Sequence, residues 1–250
     1  MQWTSLGVLL GALMALAGCQ SPQQVAAPTP APGTKYDLSQ WKLTLPDRDA
    51  NEILPAQLAS YSSEYFHLTA DGAMAFVAPA GGGTTENSRY PRSELREVLD
   101  PGDDNVNWSG SGHHALSATC QVIQAPREQK IIVGQIHGFD ARPLIKLQWE
   151  KGKLKALIKQ SPKGSNDDIS HVFATRVDNR PFSYRIEVNE GRLSVEVEGE
   201  RIEHDFYRED PAWREVTYYF KAGAYAQTAK SANGEVAEVH FTRLQVEHGQ

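Results

Sequence analysis

Tyr184-Arg185-Ile186-Glu187-Val188-Asn189-Glu190-Gly191-Arg192-Leu193-Ser194-Val195-Glu196-Val197-Glu198 decides the fold of this chain. Apolar and polar residues alternate from Tyr184 to Val188, break at Asn189-Glu190-Gly191, and alternate again from Leu193 to Glu198. A period of two gives each segment one face for a core and one for water. A glycine-bearing turn between two such segments predicts an antiparallel hairpin.

The same pattern recurs outward from it. Trp41-Lys42-Leu43-Thr44-Leu45 alternates and stops at Pro46, and the apolar run Ala73 to Ala78 stops at Pro79. Ile145-Lys146-Leu147-Gln148-Trp149 alternates ahead of a Lys151-Gly152 turn. Val236 to Val246 reads as a last strand whose alternation breaks near Arg243. The one helical pattern lies around Pro55 to Ser63. Many short strands with tight turns predict an all-β chain, an antiparallel sandwich or jelly roll.

The N-terminal residues stand apart from that domain. Leu6 to Ala17 is an apolar run too short for a comfortable membrane span and suited to a secretory signal. It leads into Leu16-Ala17-Gly18-Cys19, which resembles the bacterial lipobox, although Met1-Gln2-Trp3-Thr4 lacks the usual Lys or Arg. A plain signal peptide cut elsewhere is the alternative. Gln20 to Thr34 is rich in Pro, Ala and Gln and reads as an extended tether. The expected layout is therefore a signal peptide over 1–18, a lipidated Cys19 and tether over 19–34, and one domain over 35–250. The expected location is an outer-membrane lipoprotein, or otherwise a periplasmic or secreted protein. With Cys19 acylated, Cys120 has no partner for a disulfide. In Ala118-Thr119-Cys120-Gln121-Val122 it reads as a buried structural thiol.

A formal net charge of −6 argues against a nucleic-acid binder. It leaves room for an anionic ligand held by a local basic cluster, and three strand-like segments supply one. Arg92, Glu94 and Arg96 share a face of Arg92-Ser93-Glu94-Leu95-Arg96-Glu97, with Leu95 on the other. Gln135 and His137 share a face of Ile131 to His137, opposite Ile132, Gly134 and Ile136. Tyr219, Lys221, Gly223, Tyr225 and Gln227 share a face of Tyr219 to Gln227, opposite Phe220, Ala222, Ala224 and Ala226. Taken singly, each row has a plain alternative: a surface ion-pair ladder, a core histidine, a solvated strand face.

Together the rows contain no Ser/His/Asp arrangement, nucleotide loop, HExxH or CxxC. They suit β-elimination in a polyuronide. Arg and an amide donor neutralise the carboxylate beside the acidic C–H and stabilise the developing enolate. His and Tyr can exchange protons with carbon and the departing oxygen. A Tyr near Arg and Lys is expected to titrate below its ordinary value of about 10.

Arg92-Ser93-Glu94-Leu95-Arg96, Gln135-Ile136-His137 and Tyr219-Phe220-Lys221-Ala222-Gly223-Ala224-Tyr225-Ala226-Gln227 together resemble the three signature motifs of the alginate lyases of polysaccharide lyase family 7. Asp37-Leu38-Ser39-Gln40-Trp41-Lys42-Leu43-Thr44-Leu45-Pro46 resembles that family's opening strand. The resemblance implies a β-jelly roll of two curved antiparallel sheets with a concave substrate groove. It implies cleavage of alginate without a metal or cofactor, leaving 4,5-unsaturated ends. It implies that Arg92 and Gln135 neutralise the substrate carboxylate, and that Tyr225 is the acid and in some geometries also the base. His137 is then the base or a further neutraliser. Glu94, Arg96, Tyr219, Lys221 and Gln227 would position substrate or hold the others. Within the family, isoleucine at the Ile136 position goes more often with guluronate-containing substrates than valine does.

A monomer acting on an anionic polysaccharide is expected, touching a membrane only through a lipid anchor. Two rivals stand beside this reading. A jelly-roll glycoside hydrolase needs two facing carboxylates, whereas Glu94 and Glu97 have opposite strand parity. A non-catalytic carbohydrate-binding module needs neither His137 nor Tyr225. Adjacent His113 and His114 read as a surface loop and not as a metal site. Gly81-Gly82-Gly83 and Lys163 to Asp168 read as mobile loops.

Overall fold

In the computed structural model, Met1 and residues 29–86, 88–164, 167–228 and 234–249 are described. The expected signal peptide, Cys19 and most of the tether lie outside these residues, as do Ser165 and Asn166 of one expected loop.

Among the described residues, sixteen strands follow the turn signals. They are β1 Trp41–Thr44, β2 Glu52–Ile53, β3 Phe66–Leu68, β4 Met74–Pro79, β5 Arg92–Glu97, β6 Trp108–Ser109, β7 His113–Gln124 and β8 Lys130–Gly138, followed by β9 Pro143–Glu150, β10 Lys153–Lys159, β11 Asp168–Arg176, β12 Phe182–Asn189, β13 Arg192–Val197, β14 Glu200–Asp205, β15 Thr217–Ala226 and β16 Val236–Gly249. One sheet runs β11-β10-β9-β8-β15-β5-β1-β2, with β6 also on β15; the other runs β14-β13-β12-β7-β16-β4-β3. Every pairing among them is antiparallel. The expected helix shrinks to one turn, Pro55–Leu58.

The opening hairpin forms as read. Asn189 pairs with Arg192, leaving a two-residue loop of Glu190 and Gly191 at φ 48° and 75°. Two positive φ values match the twist of the flanking strands. Lys151-Gly152 and Glu198-Gly199 make the same loop between β9 and β10 and between β13 and β14.

The broken alternation near Arg243 has a structural cause. Phe241 pairs with Cys120 and Arg243 with Thr119, so Thr242 is an extra residue, a β-bulge in β16. Cys120 is buried in the core and burial pushes its thiol well up, away from a reactive thiolate.

Inner faces of the two sheets make one core. Leu43, Leu95, Ile136, Phe220, Ala222 and Ala224 meet Phe76, Leu116, Ile186, Val195 and Phe241, all fully buried. The alanines on β15 keep the sheets close beneath the polar row. Phe220 supplies the bulk; burying such a side chain is worth roughly 1.5–3 kcal/mol.

Three expectations are corrected. The folded unit begins before Lys35: the Leu68 amide donates to Pro30 O at 3.1 Å, and Ala31 and Pro32 are buried. Composition made this stretch look like tether; its backbone nonetheless pairs with β3. Gly82 and Gly83 are pinned, their amides donating to Pro79 O at 3.1 Å and Pro46 O at 2.9 Å. A Cβ on Gly83 would lie 1.7 Å from Asp47 O, so this glycine serves close packing. His113 and His114 open β7 and lie in no loop. His114 stacks on Trp108 at 4.5 Å and shares a 2.8 Å Nδ1–Nδ1 hydrogen bond with His248.

Candidate active site

Three polar rows become neighbours because β8, β15 and β5 are adjacent. Tyr219 pairs with His137, Lys221 with both Gln135 and Arg96, and Tyr225 with Arg92. Paired residues share a sheet face, so Arg92, Glu94, Arg96, Gln135, His137, Tyr219, Lys221 and Tyr225 occupy one surface.

A bulge adjusts that surface. Ala222 pairs with Gly134 and Tyr225 with Ile132, so Gly223 and Ala224 together face Val133. The parity of β8 resets there. Ile132 joins the face of Tyr225, contrary to the expectation that it sits with Gly134 and Ile136. Gly223 makes the bulge possible: its φ is 150°, and a Cβ would lie 2.4 Å from Ser93 O and 2.8 Å from the Glu94 Cα. What approaches this glycine closely is β5.

Glu94 is the centre of the cluster. Its Oε2 takes Arg92 Nη1 at 2.9 Å and Lys221 Nζ at 2.6 Å, and its Oε1 takes Gln135 Nε2 at 2.5 Å. Only 1% of its side chain is exposed, which leaves it to hold its neighbours. Burial pushes this carboxyl up, but Lys221 and Arg92 outweigh that and keep it below the usual carboxylate range. Burial lowers Lys221 to about 8, with Glu94 working against the fall.

His137 Nδ1 lies 2.8 Å from Gly138 O. A carbonyl only accepts, so Nδ1 carries the proton and Nε2 keeps its lone pair. Burial, and then the charge of Lys221, lower this imidazole to about 4. It is neutral at neutral pH and able to take a proton.

Tyr225 lies under Arg92, whose guanidinium carbon is 3.8 Å from the ring centroid. Its hydroxyl is 3.0 Å from Ser88 Oγ, which also accepts from Arg92 Nη2 at 3.0 Å. Tyr219 stacks on His137 at 5.4 Å, with Arg96 4.1 Å from its centroid. Burial raises the Tyr219 phenol despite Arg96, which overturns for this residue the expected lowering. Gln227 lies just past β15, its amide folded back to Ala226 O at 3.2 Å. Among the described residues its side chain bonds only to backbone carbonyls, those of Tyr225 and Ala226.

The groove above has a cavity of about 300 Å³ lined by Lys42, Thr85, Arg92, His137, Tyr219 and Lys221, among others. Lys42 bridges Glu52 at 2.8 Å and Asp104, and Arg96 donates to Asp104 O at 2.9 Å and Asn107 Oδ1 at 3.1 Å. Lys42, Asp104, Asn107 and Ser88 also belong to this site and are absent from the residues expected from sequence. Alternation in Trp41 to Leu45 could have placed Lys42 on a polar face. Nothing periodic marks the other three, which sit in loops.

Glu97 points the opposite way. It accepts from Trp108 Nε1 at 3.0 Å, the Phe220 amide at 2.9 Å and His248 Nε2 at 2.7 Å, beneath the sheet. Glu94 and Glu97 therefore cannot flank one glycosidic bond, as a hydrolase would require.

The surface offers donors for a carboxylate, a neutral imidazole and a phenol in one groove, on a two-sheet jelly roll. This is the equipment of a polyuronide lyase. The chain belongs to the alginate lyase family, polysaccharide lyase family 7: the family's alginate lyase profile matches residues 36–248. An alginate lyase of Klebsiella pneumoniae is 28% identical over 97% of this chain and 99% of its own. The solved family 7 alginate lyase A1-II′ in complex with substrate (GGMG) is 40% identical, with a TM-score of 0.86 over 89% of this chain and 98% of that one. An alginate lyase from Pseudomonas aeruginosa is 35% identical, with a TM-score of 0.78 over 85% of this chain and 100% of that one.

Proposed function

We propose that this enzyme cleaves alginate by β-elimination through Arg92, Gln135, His137 and Tyr225. Arg92 and Gln135, held by Glu94, bind the uronate carboxylate and neutralise it as the C5–H bond breaks. Lys221 adds positive charge beneath. His137 Nε2 takes the C5 proton where that proton faces it; in the other stereochemical case Tyr225 starts as the phenolate, takes the C5 proton and hands that same proton to the leaving oxygen. The electron pair forms the C4–C5 double bond, the C4–O bond breaks, and the Tyr225 hydroxyl gives its proton to the leaving oxygen. Each well-placed proton transfer contributes about 10²–10⁴ in rate. Arg96 and Tyr219 position sugar and imidazole.

One observation carries this reading: Arg92, Gln135 and Lys221 converge on Glu94 beside an imidazole whose Nε2 has no hydrogen-bond partner among the described residues. The test is to incubate the domain with poly-mannuronate, poly-guluronate and mixed alginate and follow the conjugated double bond in ultraviolet light. We expect absorbance on alginate, with guluronate-containing polymer accepted. Chain cleavage without absorbance on every polymer would refute elimination.

We propose further that the enzyme is exported as a monomer and anchored by a lipid on Cys19, its tether holding the groove off an outer membrane. The lipobox-like Leu16-Ala17-Gly18-Cys19 supports this. Mass spectrometry of the mature N-terminus tests it: an unmodified terminus away from Cys19 would refute it.

A further inference from the structure

Ser88 Oγ has more partners than a hydroxyl can serve at once. Tyr90 O lies at 3.0 Å and can only accept. The Tyr90 amide at 3.2 Å and Arg92 Nη2 at 3.0 Å can only donate. The Tyr225 hydroxyl at 3.0 Å can do either. A serine hydroxyl has one hydrogen and two lone pairs. The two obligate donors claim both lone pairs, so Tyr90 O and Tyr225 compete for the single hydrogen.

We propose that Ser88 is a positioning residue for proton donation, whose hydrogen turns from Tyr90 O to the Tyr225 oxygen as that phenol gives up its proton. The proposal rests on the reading of Tyr225 as the acid. With the phenol protonated, Ser88 gives its hydrogen to Tyr90 O, and the Tyr225 hydrogen is left for the glycosidic oxygen. When that hydrogen moves to the glycosidic oxygen, the C4–O bond breaks and Tyr225 is left as a phenolate, an acceptor only. Ser88 then supplies it a charge-assisted hydrogen bond. Arg92, which also holds Ser88, lies across the same ring at 3.8 Å and offsets the new charge. The proton shifts made by Ser88 are rotations about one bond; the reaction's proton balance stays with Tyr225.

The backbone makes this rotor possible. The Ser88 amide donates to Thr85 O at 2.9 Å, which holds Ser88 beside β15. No strand period leads to Ser88, and among the described residues its hydroxyl is the one that bonds the Tyr225 hydroxyl.

The test compares Ser88→Thr with Ser88→Val, a pair alike in shape and different in the hydroxyl. Ser88→Thr should keep kcat within about threefold. Ser88→Val should lower kcat about 10- to 100-fold, leave KM within about threefold, and enlarge the solvent deuterium isotope effect on kcat. Tyr225→Phe is run alongside. Equal kcat in the two Ser88 variants, with Tyr225→Phe inactive, overturns the role of Ser88 and leaves Tyr225 as the acid. An active Tyr225→Phe enzyme overturns the reading of Tyr225 itself, and the Ser88 proposal with it.

Discussion

Lys221 Nζ lies 2.6 Å from Glu94 Oε2, and this contact joins β15 to β5 under the groove. Both groups are buried, so neither is tolerable alone. Glu94→Gln removes the charge that compensates Lys221 and Arg92. Breaking a buried pair from one side typically costs about 3–5 kcal/mol. We expect a loss in that range by denaturant titration, with a large fall in kcat/KM. An unchanged midpoint would contradict the central position given to Glu94.

The two shifted groups set a pH window. His137 must be neutral to act as a base, and its value of about 4 places the acid limb of kcat/KM there. Lys221 must be charged to help hold the uronate, and its value of about 8 places the alkaline limb there. A bound carboxylate favours both cations, so both limbs should move up in kcat relative to kcat/KM. Profiles on a short oligosaccharide test this; an acid limb that moves down on binding would exclude His137 as the titrating base.

Stability carries the same signature. Folded His137 titrates at about 4, below its ordinary value of 6.5. Between those values the unfolded chain binds the extra proton, so this residue makes stability rise with pH through that window. His137→Gln should flatten that part of the stability profile. An unaltered slope from pH 4 to 6.5 would show that His137 is not depressed.

Gly223→Ala tests the bulge. A Cβ would meet Ser93 O at 2.4 Å, and the φ of 150° is one that alanine rarely adopts. We expect a destabilisation of roughly 2 kcal/mol or more and loss of turnover, because Tyr225 lies two residues on. Wild-type stability would mean that the bulge does not need this glycine.

Much of this site was legible because strand parity is a local property. The rows Arg92/Glu94/Arg96, Gln135/His137 and Tyr219/Lys221/Tyr225 each follow from a period of two. Their meeting needed the sheet order β8-β15-β5, a long-range pairing that no single segment encodes. Ile132 was misplaced because a bulge resets parity, and Gly223 alone does not announce one. Pro30 to Pro32 looked like tether because docking by backbone hydrogen bonds leaves no trace in composition. His113 and His114 looked like loop because Gly110 and Gly112 precede them, yet β12 and β16 pair with both. Ser88 had no signal at all: its importance lies in where its hydroxyl ends up.

The central claim is that this groove eliminates across a uronate bond with Tyr225 as the acid. The most direct measurement is the rate of ultraviolet absorbance on alginate for the wild-type and Tyr225→Phe enzymes, with oligosaccharide binding measured on both. We expect rising absorbance for the wild type, a loss of about 10²-fold or more in Tyr225→Phe, and binding within about threefold. Equal rates in the two enzymes, or cleavage without absorbance in the wild type, would contradict it.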